Sequence, residues 1–161
     1  MSKKQIRPMR AEELFDALRL CMQVFLRFNA GLCTQEGIKE FASCLDHDFI
    51  LSRLGDGELR FWVAADDEEI VGVCAMRGLA HIELLFVSEA YQGQGVGKNL
   101  LKHALIDSRN IDESIYKVTA NVYPAARPFF ARMGFAETGD MQILDGIPFI
   151  PMAVTGTIQY K

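Results

Sequence analysis

Long apolar runs are missing from this chain. Half of its 161 residues are hydrophobic, yet they are interrupted too often to reach the ~20 consecutive apolar positions of a membrane span. The start, Met1-Ser2-Lys3-Lys4-Gln5-Ile6-Arg7-Pro8, lacks the apolar core of a secretory signal. Cysteine is scarce: Cys21, Cys33, Cys44 and Cys74 form no C-x-x-C pair, and no histidine stands at zinc-finger spacing from them. A disulfide framework is therefore excluded, no metal is expected, and free thiols point to a reducing, cytoplasmic setting. Excess basic charge is also missing. With 17 Lys and Arg against 21 Asp and Glu, the net charge of -4 makes a poor general binder of nucleic acid. Neither nucleic acid nor membrane is expected as a partner. Linkers, low-complexity stretches and repeats are absent as well, so one domain over residues 1–161 is expected.

What is present is a helical opening followed by strands. Leu14, Leu18, Cys21, Phe25 and Phe28 recur at helical spacing, which predicts a helix from about Ala11 to Phe28. The aromatic stripe Phe25, Phe28 and Phe41 reads as core. Thr34 is a good N-cap for a second helix carrying Ile38, Phe41 and Leu45, and a short helical piece from about His47 to Leu54 follows. Leu59–Ala65, Ile70–Met76 and His81–Val87 read as three strands close enough in sequence to form an antiparallel meander. A helix begins at Val96, a strand covers Lys117–Asn121, and Pro124 opens another helix that stops at Gly134. Two apolar runs, Met141–Leu144 and Phe149–Val154, flank the turn dipeptide Asp145-Gly146 and predict a closing hairpin. The order is α+β, with a largely antiparallel sheet.

The segment Gln92-Gly93-Gln94-Gly95-Val96-Gly97-Lys98 lies between a strand and a helix. The first amides of a helix have no intrahelical acceptor, and the dipole places partial positive charge there. Glycines let that backbone approach an anion closely, so a phosphate or diphosphate is the natural ligand. Two familiar phosphate loops do not fit. A P-loop needs four residues between its glycines and Ser or Thr after the lysine; here three separate Gly93 from Gly97, and Asn99 follows Lys98. The dinucleotide fingerprint G-x-G-x-x-G has a different spacing and follows a first βαβ strand, not a meander.

Gln92-Gly93-Gln94-Gly95-Val96-Gly97 does resemble the Q/R-x-x-G-x-G/A motif of the GNAT superfamily of acyl-CoA-dependent N-acetyltransferases. Leu84-Leu85-Phe86-Val87 and Leu100-Leu101 fit the flanks. Asn121, Ala125-Ala126-Arg127-Pro128-Phe129-Phe130 and Gly134-Phe135 resemble that family's downstream segment. The resemblance implies a GNAT-type fold whose sheet, flanked by helices, splays open beside the coenzyme. It implies acetyl-CoA as co-substrate, a primary amine as acceptor (small molecule or protein) and a possible homodimer. Amides of Gly93, Gln94, Gly95, Val96, Gly97 and Lys98 would hold the diphosphate, with Gln92 at the motif's head. The backbone of Leu85, Phe86 and Val87 would pair with the pantetheine arm like an added strand. Asn121, Arg127, Pro128 and Phe130 would complete the coenzyme site.

Acetyl transfer to an amine needs a base for the amine, a donor for the oxyanion and a proton for the leaving thiolate. By the family's pattern Glu83 and His81 are the candidate bases, Glu83 first. Strict strand alternation would put both on the face of Leu85 and Val87; a cross-strand ion pair is the other reading of Glu83. The oxyanion donor would be a backbone N–H near Phe86 or Val87. The family often has Tyr where this chain has Phe130, which has no hydroxyl. Proton donation by Tyr123 or Tyr91, by water, or departure of the bare thiolate all stay open. A coenzyme-binding module with little catalysis is the alternative function.

Overall fold

The structure, a computed structural model, describes residues 4–156; the ends of the expected domain, 1–3 and 157–161, lie outside them. A short strand β1 (Lys4–Pro8) leads through a 3-10 turn (Ala11–Glu13) into α1 (Leu14–Phe28), α2 (Gln35–Cys44) and α3 (His47–Gly55). The meander β2 (Leu59–Asp66), β3 (Glu69–Arg77) and β4 (His81–Val87) follows, then α4 (Val96–Ile111) and β5 (Lys117–Val122). Another 3-10 turn (Pro124–Ala126), α5 (Arg127–Arg132) and strands β6 (Ala136–Glu137), β7 (Gln142–Leu144) and β8 (Ile147–Thr155) close the described chain. Both helix starts predicted at Ala11 and Pro124 begin as 3-10 turns, and the pairing of β8 between β5 and β6 was not foreseen.

The described strands run in the order β1-β2-β3-β4-β5-β8-β6, with β7 on β8. The central strands are buried on both faces, and side-chain alternation sorts the core. Phe61, Val63 and Ala65 of β2 pack on the side of α1–α3, among Leu14, Phe25 and Phe41. Trp62 and Ala64 pack on the side of α4, among Leu100, Leu101 and Leu105. The two faces thus meet different helices, α1–α3 on one and α4 and α5 on the other.

β4 departs from strict alternation. Ala75 pairs with Leu84 and Met76 with Ile82, so Glu83 is an extra residue with nothing opposite, a β-bulge. Ile82 consequently packs on the α4 side, whereas Leu84 and Phe86 pack on the α1 side and Leu85 and Val87 return to the α4 side. This corrects the expected face of the candidate bases. Glu83 reaches Arg53 of α3 and His81 bonds Thr119, so both lie on the face of Leu84 and Phe86, opposite Leu85 and Val87.

The closing hairpin turns on Asp145 and Gly146, both at positive φ (52° and 81°), between the paired Leu144 and Ile147. Its tip touches the head of α2. Thr34 N–H donates to the Gly146 carbonyl at 3.0 Å, and the Thr34 hydroxyl caps α2 by accepting from Gly37 N–H at 3.0 Å. A methyl group at Gly37 would run into the Gly146 carbonyl. Gly37→Ala is therefore expected to cost roughly 1–3 kcal/mol by overpacking against backbone that cannot rotate away, read as a lowered urea midpoint.

Candidate active site

β4 and β5 are parallel neighbours only where the start of β4 meets the middle of β5, His81 opposite Thr119 and Ile82 opposite Ala120. Beyond that point each follows its other partner. β4 stays on β3 as far as Val87–Gly72, and β5 stays on β8 as far as Val122–Ile150. The opening between them becomes a cleft of about 470 Å³. Leu85, Phe86 and Val87 form one wall and Tyr123, Ala125, Ala126 and Pro128 another; Val24 and Phe28 of α1 and Asn29 just after it close it on one side of the sheet, the head of α4 on the other. Main-chain groups on the β5-facing edge of Leu85–Val87 have no ladder partner there, a state that an extended ligand with its own amides would satisfy. Gln92 ties the following loop back to this edge, its side-chain amide donating to the Val87 carbonyl at 3.0 Å.

The glycine loop stands at the cleft's other end. Gly93 and Gly95 hold φ of 75° and 82°, a left-handed conformation that glycine adopts without strain, and Gly95 is the N-cap of α4. Asn99 N–H is the first to bond within the helix, to the Gly95 carbonyl at 3.0 Å. The amides of Val96, Gly97 and Lys98 before it have no intrahelical acceptor. The first turn of α4 carries no acidic residue to compete for them. A side chain at Gly97 would press on the Phe129 ring, 3.1 Å from its ideal Cβ position, so glycine lets α5 close on α4. Gly93, Gly95, Gly97 and Lys98 line the cleft, and so does Arg132, a second cation. Main-chain donors, two cations and an open strand edge along one cleft fit coenzyme A.

Not every expected contact lies in the cleft. Gln94 turns outward, donating to the Ala90 carbonyl and accepting from Lys4. Asn121 is exposed on β5 opposite Pro151, between buried Ala120 and Val122. Arg127 is engaged by Glu137 of β6. None of the three lines the cleft, because each follows a partner outside it. Phe130 lines it as part of the core, edge-on to Phe129 and Phe135 at 5.3 and 5.1 Å. Phe28, expected in the core, lines the cleft instead, and Val24, Asn29 and Arg132 join it without having been picked out by sequence. The one signal for Arg132 was a cation in the last turn before Gly134.

Of the catalytic candidates only Tyr123 lines the cleft; Glu83 and His81 stand at the fork and are not among its lining residues. Glu83 occupies the bulge one residue past the last β4–β5 pair; its carboxylate lies 3.3 Å from Arg77 Nε and 3.9 Å from Arg53. The cross-strand ion pair is thus present. His81, one step behind, shares a hydrogen bond of 2.8 Å with the Thr119 hydroxyl. Tyr123 lines the cleft, packed edge-on to Phe25 at 5.6 Å. Burial, and then the Glu83 charge, push its phenol well above the ordinary tyrosine range, so it keeps its proton at neutral pH. Burial also pushes the thiol of Cys33 up; it donates to the Asn29 carbonyl at 3.3 Å and is no ready nucleophile.

A splayed sheet, a left-handed glycine cap and helix-head amides without an intrahelical acceptor fit a coenzyme A site of an acyltransferase, and sequence comparison agrees on the family. The acetyltransferase (GNAT) domain matches residues 29–155, so the chain belongs to the GNAT acetyltransferases, a family that uses acetyl-CoA. A curated relative, peptidyl-lysine N-acetyltransferase YjaB of Salmonella typhimurium, is 33% identical over 94 residues, covering 57% of this chain and 61% of that protein. The chain thus spans about three-fifths of the length of that relative. Among solved structures, a GCN5-related N-acetyltransferase from Rhodopseudomonas palustris superposes with a TM-score of 0.79 at 20% identity, covering 96% of this chain and 97% of its own. The PaiA N-acetyltransferase of Thermoplasma acidophilum, solved with coenzyme A, gives 0.76 at 19% identity, covering 95% and 99%. At these identities the structures speak for the fold.

His81 makes the site sensitive to acid. Burial, and then Arg77, hold its imidazole below the ordinary value of about 6.5, with Glu83 acting in the other direction. The unfolded chain therefore takes up this proton first as pH falls. The stability tied to neutral His81 is complete above about pH 6.5 and drains away as pH drops through the native pKa. In His81→Gln that part of the slope is expected to vanish, which urea midpoints at pH 7.5, 6.5 and 5.5 would show.

Proposed function

We propose that this chain transfers the acetyl group of acetyl-CoA directly to a primary amine, with the lysine side chain of a peptide or protein as the acceptor class. The opening between β4 and β5, with the glycine loop at one end and Tyr123 in its wall, is the observation that carries this reading. The acceptor class is taken from the name of the curated relative, YjaB.

Bound acetyl-CoA supplies the thioester carbonyl that the amine attacks. The amides of Val96, Gly97 and Lys98 hold the diphosphate at the positive end of the α4 dipole, and Lys98 and Arg132 add charge at the rim. The open edge of Leu85–Val87 aligns the pantetheine arm, and a main-chain N–H of Phe86 or Val87 polarises the carbonyl. Glu83, at the fork, accepts the proton of the amine directly or through one water. Tyr123, protonated at neutral pH, gives its proton to the departing sulfur, the task Phe130 cannot perform. One observation favours a coenzyme-binding module with little turnover instead: both carboxylate oxygens of Glu83 already face arginines.

Thiol release from acetyl-CoA with a lysine-peptide panel, beside calorimetric titration with coenzyme A, separates the two readings. Transfer predicts turnover that falls by ~10²–10⁴-fold in Glu83→Gln and in Tyr123→Phe, with coenzyme affinity unchanged in Glu83→Gln. Binding without turnover on any amine would leave the module. Gly95→Glu is expected to abolish binding under either reading, because a side chain and a negative charge enter the anion site at positive φ.

A further inference from the structure

The glycine loop is braced by two residues to which the proposed transfer gives no part: Tyr91, at the cleft's wall, and Asp66, which does not line it. Tyr91 ends the 3-10 turn Glu89–Tyr91, immediately before Gln92, and its hydroxyl donates to Asp66 Oδ2 at 2.7 Å. Asp66 is the last residue of β2. It is only 9% exposed, and its other oxygen, Oδ1, is buried with no hydrogen-bond partner among the described residues. Lys4 stands opposite Asp66 in the β1–β2 ladder, with its ammonium 5.3 Å from the centroid of the Tyr91 ring, and it also donates to the Gln94 side chain. Carboxylate, phenol, ammonium and loop amide thus form one connected series from the sheet to the glycines.

This arrangement is costly as pure architecture. A buried carboxylate oxygen without a partner destabilises a fold, and an aliphatic residue at the end of β2 would avoid it. The Asp66 charge also opposes anion binding nearby. What the brace supplies is order. The loop is pinned at its start, where Ser88 N–H donates to the Val71 carbonyl at 2.8 Å, and at its end by the first bond of α4. Between these points lie Gly93 and Gly95, the residue type that loses most conformational freedom when fixed. Tyr91 is held midway. A loop already fixed spares the ligand the cost of ordering it.

We propose that Asp66 and Tyr91 are positioning residues for the coenzyme, which hold the glycine loop in its binding shape before acetyl-CoA arrives. The proposal rests on the loop being the diphosphate site. Its effect falls on coenzyme affinity and not on the acetyl-transfer step.

Calorimetry with coenzyme A, which needs no acceptor, tests it. Asp66→Ala is expected to raise the Kd roughly ten-fold, the scale of one hydrogen bond to a charged group. Its kcat at saturating acetyl-CoA should stay within about two-fold of the parent. Asp66→Asn, which keeps an acceptor oxygen, should recover most of the affinity. The double variant with Tyr91→Phe should bind no more weakly than Tyr91→Phe alone, since both changes remove one bond. A merely structural brace would lower the urea midpoint of Asp66→Ala and leave the Kd where it was, and that result overturns the proposal. So would additive losses in the double variant, or a kcat at saturation that falls as far as kcat/KM. Should Asp66→Ala fail to fold, Tyr91→Phe, which keeps its ring, decides on Kd alone. No binding of coenzyme A by the parent would bring down the diphosphate reading and the brace together; parent binding with unchanged variants brings down only the brace.

Discussion

A β-strand can follow two neighbours only while those neighbours agree. β4 is registered to β3 on one side and β5 to β8 on the other, and the two ladders diverge after Ile82 and Ala120. The parallel contact between β4 and β5 is given up, and the cleft exists because of it. An unpaired strand edge inside a protein is normally a liability. Here it is sheltered between α1 on one face and the α4–α5 pair on the other, where a ligand with peptide-like amides can complete it.

The same divergence sets the chemistry. At the fork, the bulge on Glu83 moves one carboxylate onto the face of α1–α3, and the wall of the cleft brings Tyr123 within reach of its charge. His81 stays behind the fork, bonded to Thr119 where the strands still pair. Far from the fork, α4 begins on a left-handed glycine, with its first amides lacking an intrahelical acceptor. In the proposed reading, chemistry at one end and anion capture at the other are separated by the length of the open β4 edge. A long, bent coenzyme can therefore touch both without any one element having to span the distance.

Much of this was legible in the residues. The three strands of the meander, the Asp145-Gly146 turn and the head of α4 are set by short-range rules: side-chain period, positive φ and the orphan amides of a helix end. The GNAT resemblance followed from the same segment, because an anion site made of main chain demands glycines in a fixed spacing. What escaped depends on partners remote in sequence. Arg127, expected at the coenzyme, pairs with Glu137, and Asn121, also expected there, stands exposed opposite Pro151, so neither lines the cleft. Phe28 reads as core by its spacing along α1, yet the end of that helix overhangs the cleft, where no strand covers it.

The amino-acid order by itself determined the elements and the shape of the glycine loop, since both arise from interactions within a few residues of chain. Only tertiary structure decided which side of the sheet the candidate bases face. One extra residue in the β3–β4 ladder inverts every later side chain, and a bulge is a property of two strands' register, invisible in either alone. It also decided that Tyr91 and Asp66, 25 positions apart, share a hydrogen bond behind the glycine loop. Contacts of that kind come from packing the finished elements together.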